Sequence, residues 1–195
     1  MKRRIREYLP LVLVALFLLA ARSSLADHYI VPSGSMEHTL LPGDRVIVDK
    51  RAYGFRVPFT LTKLTPGSHP ARGDVVIFDS PADHMRLIKR IVAVGGDVLA
   101  VRDGHVFING VSQAEQSNPS MERFAGREVA LDLEFGGGPD LPSTRIPDGD
   151  VFVMGDARGN SKDSRFFGFV HEREIYAHAV RVYFRSGNGF VWKPL

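Results

Sequence analysis

Three polar stretches in this chain carry residue types able to make and break bonds. The first runs Val31, Pro32, Ser33, Gly34, Ser35, Met36, Glu37, His38, with Pro42, Gly43 and Asp44 shortly after. Proline fixes the backbone and removes a donor, and a glycine between two serines permits a tight turn, so both hydroxyls are presented outward. A serine nucleophile is displayed in this way, although the same composition also makes a plain turn or linker. The second stretch is Arg72, Gly73, Asp74 and residues 75–78, followed by Leu87, Ile88, Lys89 and Arg90. Pointing to solvent, Lys89 is an ordinary surface residue. Pointing inward, it loses hydration, its pKa falls, and the amine becomes a usable general base. The third stretch, 155–170, holds Asp156, Arg158, Ser161, Asp163 and Arg165, and reads by itself as a polar loop whose acids and bases pair to stiffen it. His38, three residues after Ser35, raises a Ser/His/Asp triad. Local spacing does not make one, no aspartate is clearly placed to orient the ring, and Lys89 already offers a base.

The elements that must hold these residues are strands. Short β-branched or aromatic runs at 46–48, 74–78, 87–94, 97–101, 105–108, 150–154 and 177–184 stand between Gly, Pro and Asp, and no long helical period competes. Asp103 and Gly104 tolerate the positive φ of a two-residue turn and predict a hairpin. Residues 109–147 change character, with Gly136, Gly137 and Gly138 in a row and scattered apolar residues, and read as a loosely structured inserted subdomain. An all-β, antiparallel catalytic domain is therefore expected from 27–108 and 148–195, interrupted by 109–147.

The chain has 195 residues, 44% hydrophobic and 24% charged, enough to bury a core. It has no cysteine, which excludes thiol nucleophiles and Cys-based metal sites. Lys2, Arg3, Arg4 and Arg6 hold much of the net charge of +3, so the globular part is near neutral and gives no case for nucleic acid. An apolar run at 9–21 follows those basic residues. Extended from Tyr8 through Leu25 and Ala26, with Arg22 snorkelling, it spans a bilayer; 1–26 is then a basic tip and transmembrane anchor. The charge distribution puts the N-terminus in the cytoplasm and the rest on the far side. A cleavable signal peptide, with small residues at Ser24 and Ala26, is the rival reading, and either one exports the domain.

Taken together and in this order, the anchor, Pro32 to Met36, Gly43 and Asp44, Arg72 to Phe78, Lys89 with Arg90, and Gly155 to Val170 resemble the bacterial type I signal peptidases. These are membrane-anchored Ser/Lys peptidases that remove leader peptides from exported proteins. The resemblance implies Ser35 as nucleophile and neutral Lys89 as base, Ser161 holding the lysine amine, and an oxyanion hole from the Ser35 N–H and the Ser33 hydroxyl. Asp156, Arg158, Asp163 and Arg165 match supporting positions, expected to form ion pairs that fix Ser161. The chain departs from the family where His38 replaces a common proline, Ala157 a usual asparagine and Gly159 a usual aspartate.

The resemblance also implies preproteins with small residues, typically alanine, at the first and third positions before the cut, and neither metal nor cofactor. An extended peptide would pair with strand edges at 28–31 and 83–87. Ile30, Val31, Met36, Leu87 and Ile88 are expected to line its pockets. A patch of Phe55, Val57, Pro58 and Phe59 could dip into the membrane interface or pack in the core. The expected partners are signal peptides and the lipid bilayer of a bacterial inner membrane crossed once, and the chain is expected to be a monomer. Competing readings are a self-cleaving repressor type with a Ser/Lys dyad, a specialised pilus or conjugation-protein peptidase, and an inactive anchored β binding module.

Overall fold

The computed structural model describes residues 8, 11, 14, 26–54, 65 and 67–195. All but Leu11 and Val14 of the apolar run 9–21, and the whole patch of Phe55, Val57, Pro58 and Phe59, lie outside these residues. Among the described residues no helix is long and apolar enough to cross a membrane.

β-branched runs between turn residues form strands because branched side chains pack well on a pleated surface. Eight make the main sheet: β1 (Ala26–Ile30), β2 (Arg45–Asp49), β3 (Val75–Asp79), β4 (Arg86–Val94), β11 (Asp150–Met154), β12 (Val170–His171), β13 (Ile175–Arg185) and β14 (Gly189–Pro194). Among the described residues their spatial order is β1-β2-β13-β3-β4-β11-β12, with β14 also on β13, and every pairing is antiparallel. Period-2 alternation then builds two cores from one strand. Val75 and Ile77 of β3 pack with Val31, Met36, Leu40, Val46 and Ile88, whereas Val76 and Phe78 pack with Tyr53, Ile91, Val153 and Ile175. Each such side chain, fully buried, contributes about 1.5–3 kcal/mol.

A second sheet, β10-β5-β6-β7, is made by β5 (Val98–Arg102), β6 (His105–Ile108), β7 (Val111–Ser112) and β10 (Leu141–Arg145); β8 (Met121–Phe124) and β9 (Arg127–Ala130) pair as a hairpin. Asp103 and Gly104 both take positive φ between β5 and β6, as that turn requires. The structure corrects the expectation of loose structure at 109–147, which carries β7 to β10. Of its apolar residues, Phe124, Val129, Leu131 and Ile146 join Val92, Leu99, Val106 and Phe152 in one shared core. Scattered apolar residues read as disorder only while their partners elsewhere in the chain are unknown.

The connection from β1 to β2 carries Ser33 and Ser35 and is closed at its base. Val31 N–H donates to the Asp44 carbonyl at 2.9 Å, and Gly43 N–H donates to Val31 at 2.9 Å. The Asp44 carboxylate accepts from Leu41 N–H at 3.0 Å and from Arg185 of β13 at 2.7 Å. A buried acid thus ties the serine loop to the sheet.

Candidate active site

Lys89 is placed by the uninterrupted register of β4 against β3, opposite Val76. Its Nζ stands 2.5 Å from Ser35 Oγ. The two residues are only 3% and 7% exposed. Burial lowers the Lys89 pKa to about 8; Asp163 and Asp156 oppose the fall and Arg165 adds to it. Desolvation wins because no carboxylate forms an ion pair with the amine among the described residues. A neutral amine at this distance can accept the hydroxyl proton as the oxygen attacks a carbonyl. Ser33 Oγ lies 3.4 Å from Ser35 Oγ. The backbone N–H of Ser35 has no acceptor among the described residues.

The loop after β11 braces this pair. Ala157 N–H donates to the Ser35 carbonyl at 3.2 Å. At Gly155 a Cβ would fall 2.3 Å from both the Ser35 carbonyl oxygen and Ser161 Oγ, so only glycine lets the three approach. The Asp163 carboxylate accepts from Gly155 N–H at 3.0 Å and Ser161 Oγ at 2.7 Å, and Arg165 grips it at 2.8 and 2.9 Å. Among the described residues no hydrogen bond joins Ser161 to the Lys89 amine; the Ser161 hydroxyl donates to the carboxylate two residues on. Ser161 is thus tied to Asp163, which Arg165 holds in turn. The other two charged positions have different partners.

Asp156 binds Arg90, with Nε at 2.9 Å and Nη2 at 2.7 Å, and accepts from Thr39 Oγ1 at 2.5 Å. Arg158 meets Glu122 of β8 at 2.6 Å, both side chains fully buried, and also donates to the carbonyls of Gly155 and Gly104. Arg90, Thr39 and Glu122 are the residues that sequence reasoning missed. A second charge beside Lys89 in an apolar strand was a usable signal for Arg90; Glu122 gives no local signal. The departure at Gly159 also has a partner, because a Cβ there would lie 2.0 Å from the Phe135 carbonyl of the 109–147 segment. His38 is exposed and makes no hydrogen bond among the described residues.

An apolar groove of about 200 Å³ is lined by Tyr29, Ile30, Val31, Pro32, Ile77, Arg86, Leu87 and Ile88, most of them residues that lead up to Ser35 in its loop and to Lys89 on β4. Four of the five expected pocket residues are there. The fifth, Met36, is fully buried beneath the loop in the core and lines no part of the groove. β1 is an edge strand. On β4 the pairing with β11 starts only at Arg90, which leaves 86–89 open on that side among the described residues. The second edge thus begins at Arg86, three residues later than expected, because 81–83 form a turn.

A serine hydroxyl and a buried, weakly basic amine held by an antiparallel β fold define a serine-hydrolase type of site. The chain matches the family described as "Signal peptidase, peptidase S26" over residues 4–184 and belongs to it. It is 35% identical to Signal peptidase I of Pseudomonas fluorescens over 203 aligned residues, covering 91% of this chain and 70% of that one. It is 33% identical to Signal peptidase I of Pseudomonas aeruginosa over 204, with the same two coverages. A crystal structure of a signal peptidase I from Enterococcus faecalis V583 shares 31% identity over 57% of this chain and 97% of that one, at a TM-score of 0.41.

Proposed function

We propose that this chain is a serine endopeptidase that removes signal peptides from exported preproteins, with Ser35 as nucleophile and Lys89 as general base. The observation that carries this assignment is the 2.5 Å approach of Lys89 Nζ to Ser35 Oγ, with burial lowering the amine pKa to about 8. Ser35 Oγ attacks the scissile carbonyl while its proton passes to Nζ, and the ammonium returns that proton to the departing amine, leaving an acyl ester. Water then attacks the ester, giving a proton to Lys89, which passes it to Ser35 Oγ as the acid leaves. The Ser35 N–H and the Ser33 hydroxyl stabilise the oxyanion of both tetrahedral intermediates. Asp163 and Arg165 hold Ser161, and Asp156 with Arg90 and Arg158 with Glu122 hold the loop that braces Ser35.

The substrate lies extended between the edges of β1 and β4, its backbone pairing with both and its small side chains entering the groove lined by Ile30, Val31, Leu87 and Ile88. A cavity of this size rejects bulky residues and supports cleavage after Ala-X-Ala sequences. The apolar run 9–21 holds the chain in the cell membrane, with its N-terminus cytoplasmic and the β domain on the outer face. Cleavage of a purified preprotein in detergent micelles tests the assignment. Ser35→Ala and Lys89→Ala are expected to stay folded and lose cleavage; near wild-type rates for Lys89→Ala overturn it.

A further inference from the structure

Two elements pass through the Ser35–Lys89 pair, and both continue into a second groove. In the serine loop, residues 29–32 line the apolar groove, Ser35 follows, and His38 and Thr39 line another cavity of about 420 Å³. On β4, Arg86 and Ile88 line the first groove, Lys89 is at the pair, and Arg90 lines the second. Arg86, Ile88 and Arg90 share one face of β4 and Lys89, with Leu87 of the first groove, projects from the other; along both elements the pair stands in chain order between the residues of the two grooves. A peptide seated in the apolar groove with its scissile carbonyl at Ser35 must continue past the pair. The second groove lies in that direction.

Its chemistry differs from that of the first. Most of its charges are already committed: Arg90 to Asp156, Arg127 to Asp74 at 2.7 Å, and Glu128 to Arg123 at 2.7 Å. Lys193 of β14 is exposed and has no ion-pair partner among the described residues. Partial burial lowers its pKa; the charges of Arg185 and Arg90 add to the fall, and those of Asp44 and Asp156, which pair with these arginines, oppose it. The neighbouring arginines are each matched by a carboxylate, so the exposed ammonium at the mouth of the groove is the charge left to meet an anion from outside.

We propose that this groove seats the mature-side segment of the substrate and favours a carboxylate at about the second to fourth residue after the cut, where Lys193 meets it. The inference rests on the reading of Ser35 and Lys89 as the reacting pair. It adds a specificity site on the side of the cut away from the small-residue pockets.

Three peptides identical up to the cut, and carrying Glu, Gln or Lys at the third residue after it, test this with the full chain in detergent micelles. Wild type is expected to cleave the Glu peptide about three- to fivefold faster than the Gln peptide by kcat/KM, and the Lys peptide slowest, the range of a partly exposed charge pair. The Glu-to-Gln ratio falls to about one in Lys193→Gln, and Lys193→Glu inverts the order in favour of the Lys peptide. Arg102→Gln, the same charge change on the second sheet, keeps the wild-type ratio. Equal cleavage of all three peptides by wild type, or an undiminished ratio in Lys193→Gln, overturns the groove's role. Retained cleavage of the Gln peptide by Ser35→Ala overturns the dyad reading instead, so the two failures are distinguishable.

Discussion

The carboxylate of Glu122 and the guanidinium of Arg158 meet at 2.6 Å with neither side chain reached by solvent, joining β8 of the 109–147 segment to the loop that braces Ser35. Removing one member leaves a buried charge without its partner, which costs about 3–5 kcal/mol. Glu122→Ala is therefore expected to lose that much in denaturant unfolding. Glu122→Met combined with Arg158→Met should recover much of the stability but little of the activity, because Arg158 also donates to the Gly155 carbonyl. Equal recovery of both would reduce the pair to a packing role.

Lys89 is expected to cost the fold stability. Its pKa in the folded chain is about 8 against an ordinary 10.5, so the unfolded chain binds the proton more tightly. The cost is fully present below pH 8, shrinks as pH rises from there to 10.5, and vanishes above. At pH 7 it amounts to roughly 3 kcal/mol. Lys89→Met should thus be inactive yet more stable than wild type at pH 7, with the gap closing toward pH 10. Thermal unfolding at several pH values checks this, and a destabilised Lys89→Met contradicts it.

Gly155→Ala tests the packing against Ser35. A methyl group 2.3 Å from the Ser35 carbonyl oxygen and from Ser161 Oγ must push one of them aside. Overpacking of this kind costs about 1–3 kcal/mol. Because the displaced atoms belong to the nucleophile's own residue and its brace, kcat should fall about 100-fold or more while the fold survives.

Ser33→Ala probes the oxyanion contacts. Loss of one such donor typically lowers kcat about 100- to 1,000-fold. With Ser33 Oγ at 3.4 Å from Ser35 Oγ, KM should change little and kcat by that amount. A fall confined to KM would make Ser33 a substrate-binding residue.

The strands were legible in the sequence because their signals are local: β-branched runs between turn residues give β2 to β6. The pairing of Ser35 with Lys89 was not local; each alone also reads as a turn serine or a surface lysine, and it was the order of the polar stretches and the family resemblance that joined them. The contacts that orient them were not legible. Ser161 donates to Asp163, two residues on, and makes no hydrogen bond to Lys89 among the described residues, a choice only the folded loop reveals. Arg158 finds Glu122, 36 residues away, and Met36 drops into the core although it adjoins the nucleophile, since a turn sends successive side chains in different directions.

The pH dependence of kcat/KM for a preprotein of fixed charge over the working range tests the central claim most directly. With Lys89 neutral only above its own pKa, the rate should rise tenfold per pH unit below about 8 and level off above it. A rate independent of pH down to about 6, or one still climbing near 10.5, would contradict a buried lysine as the base.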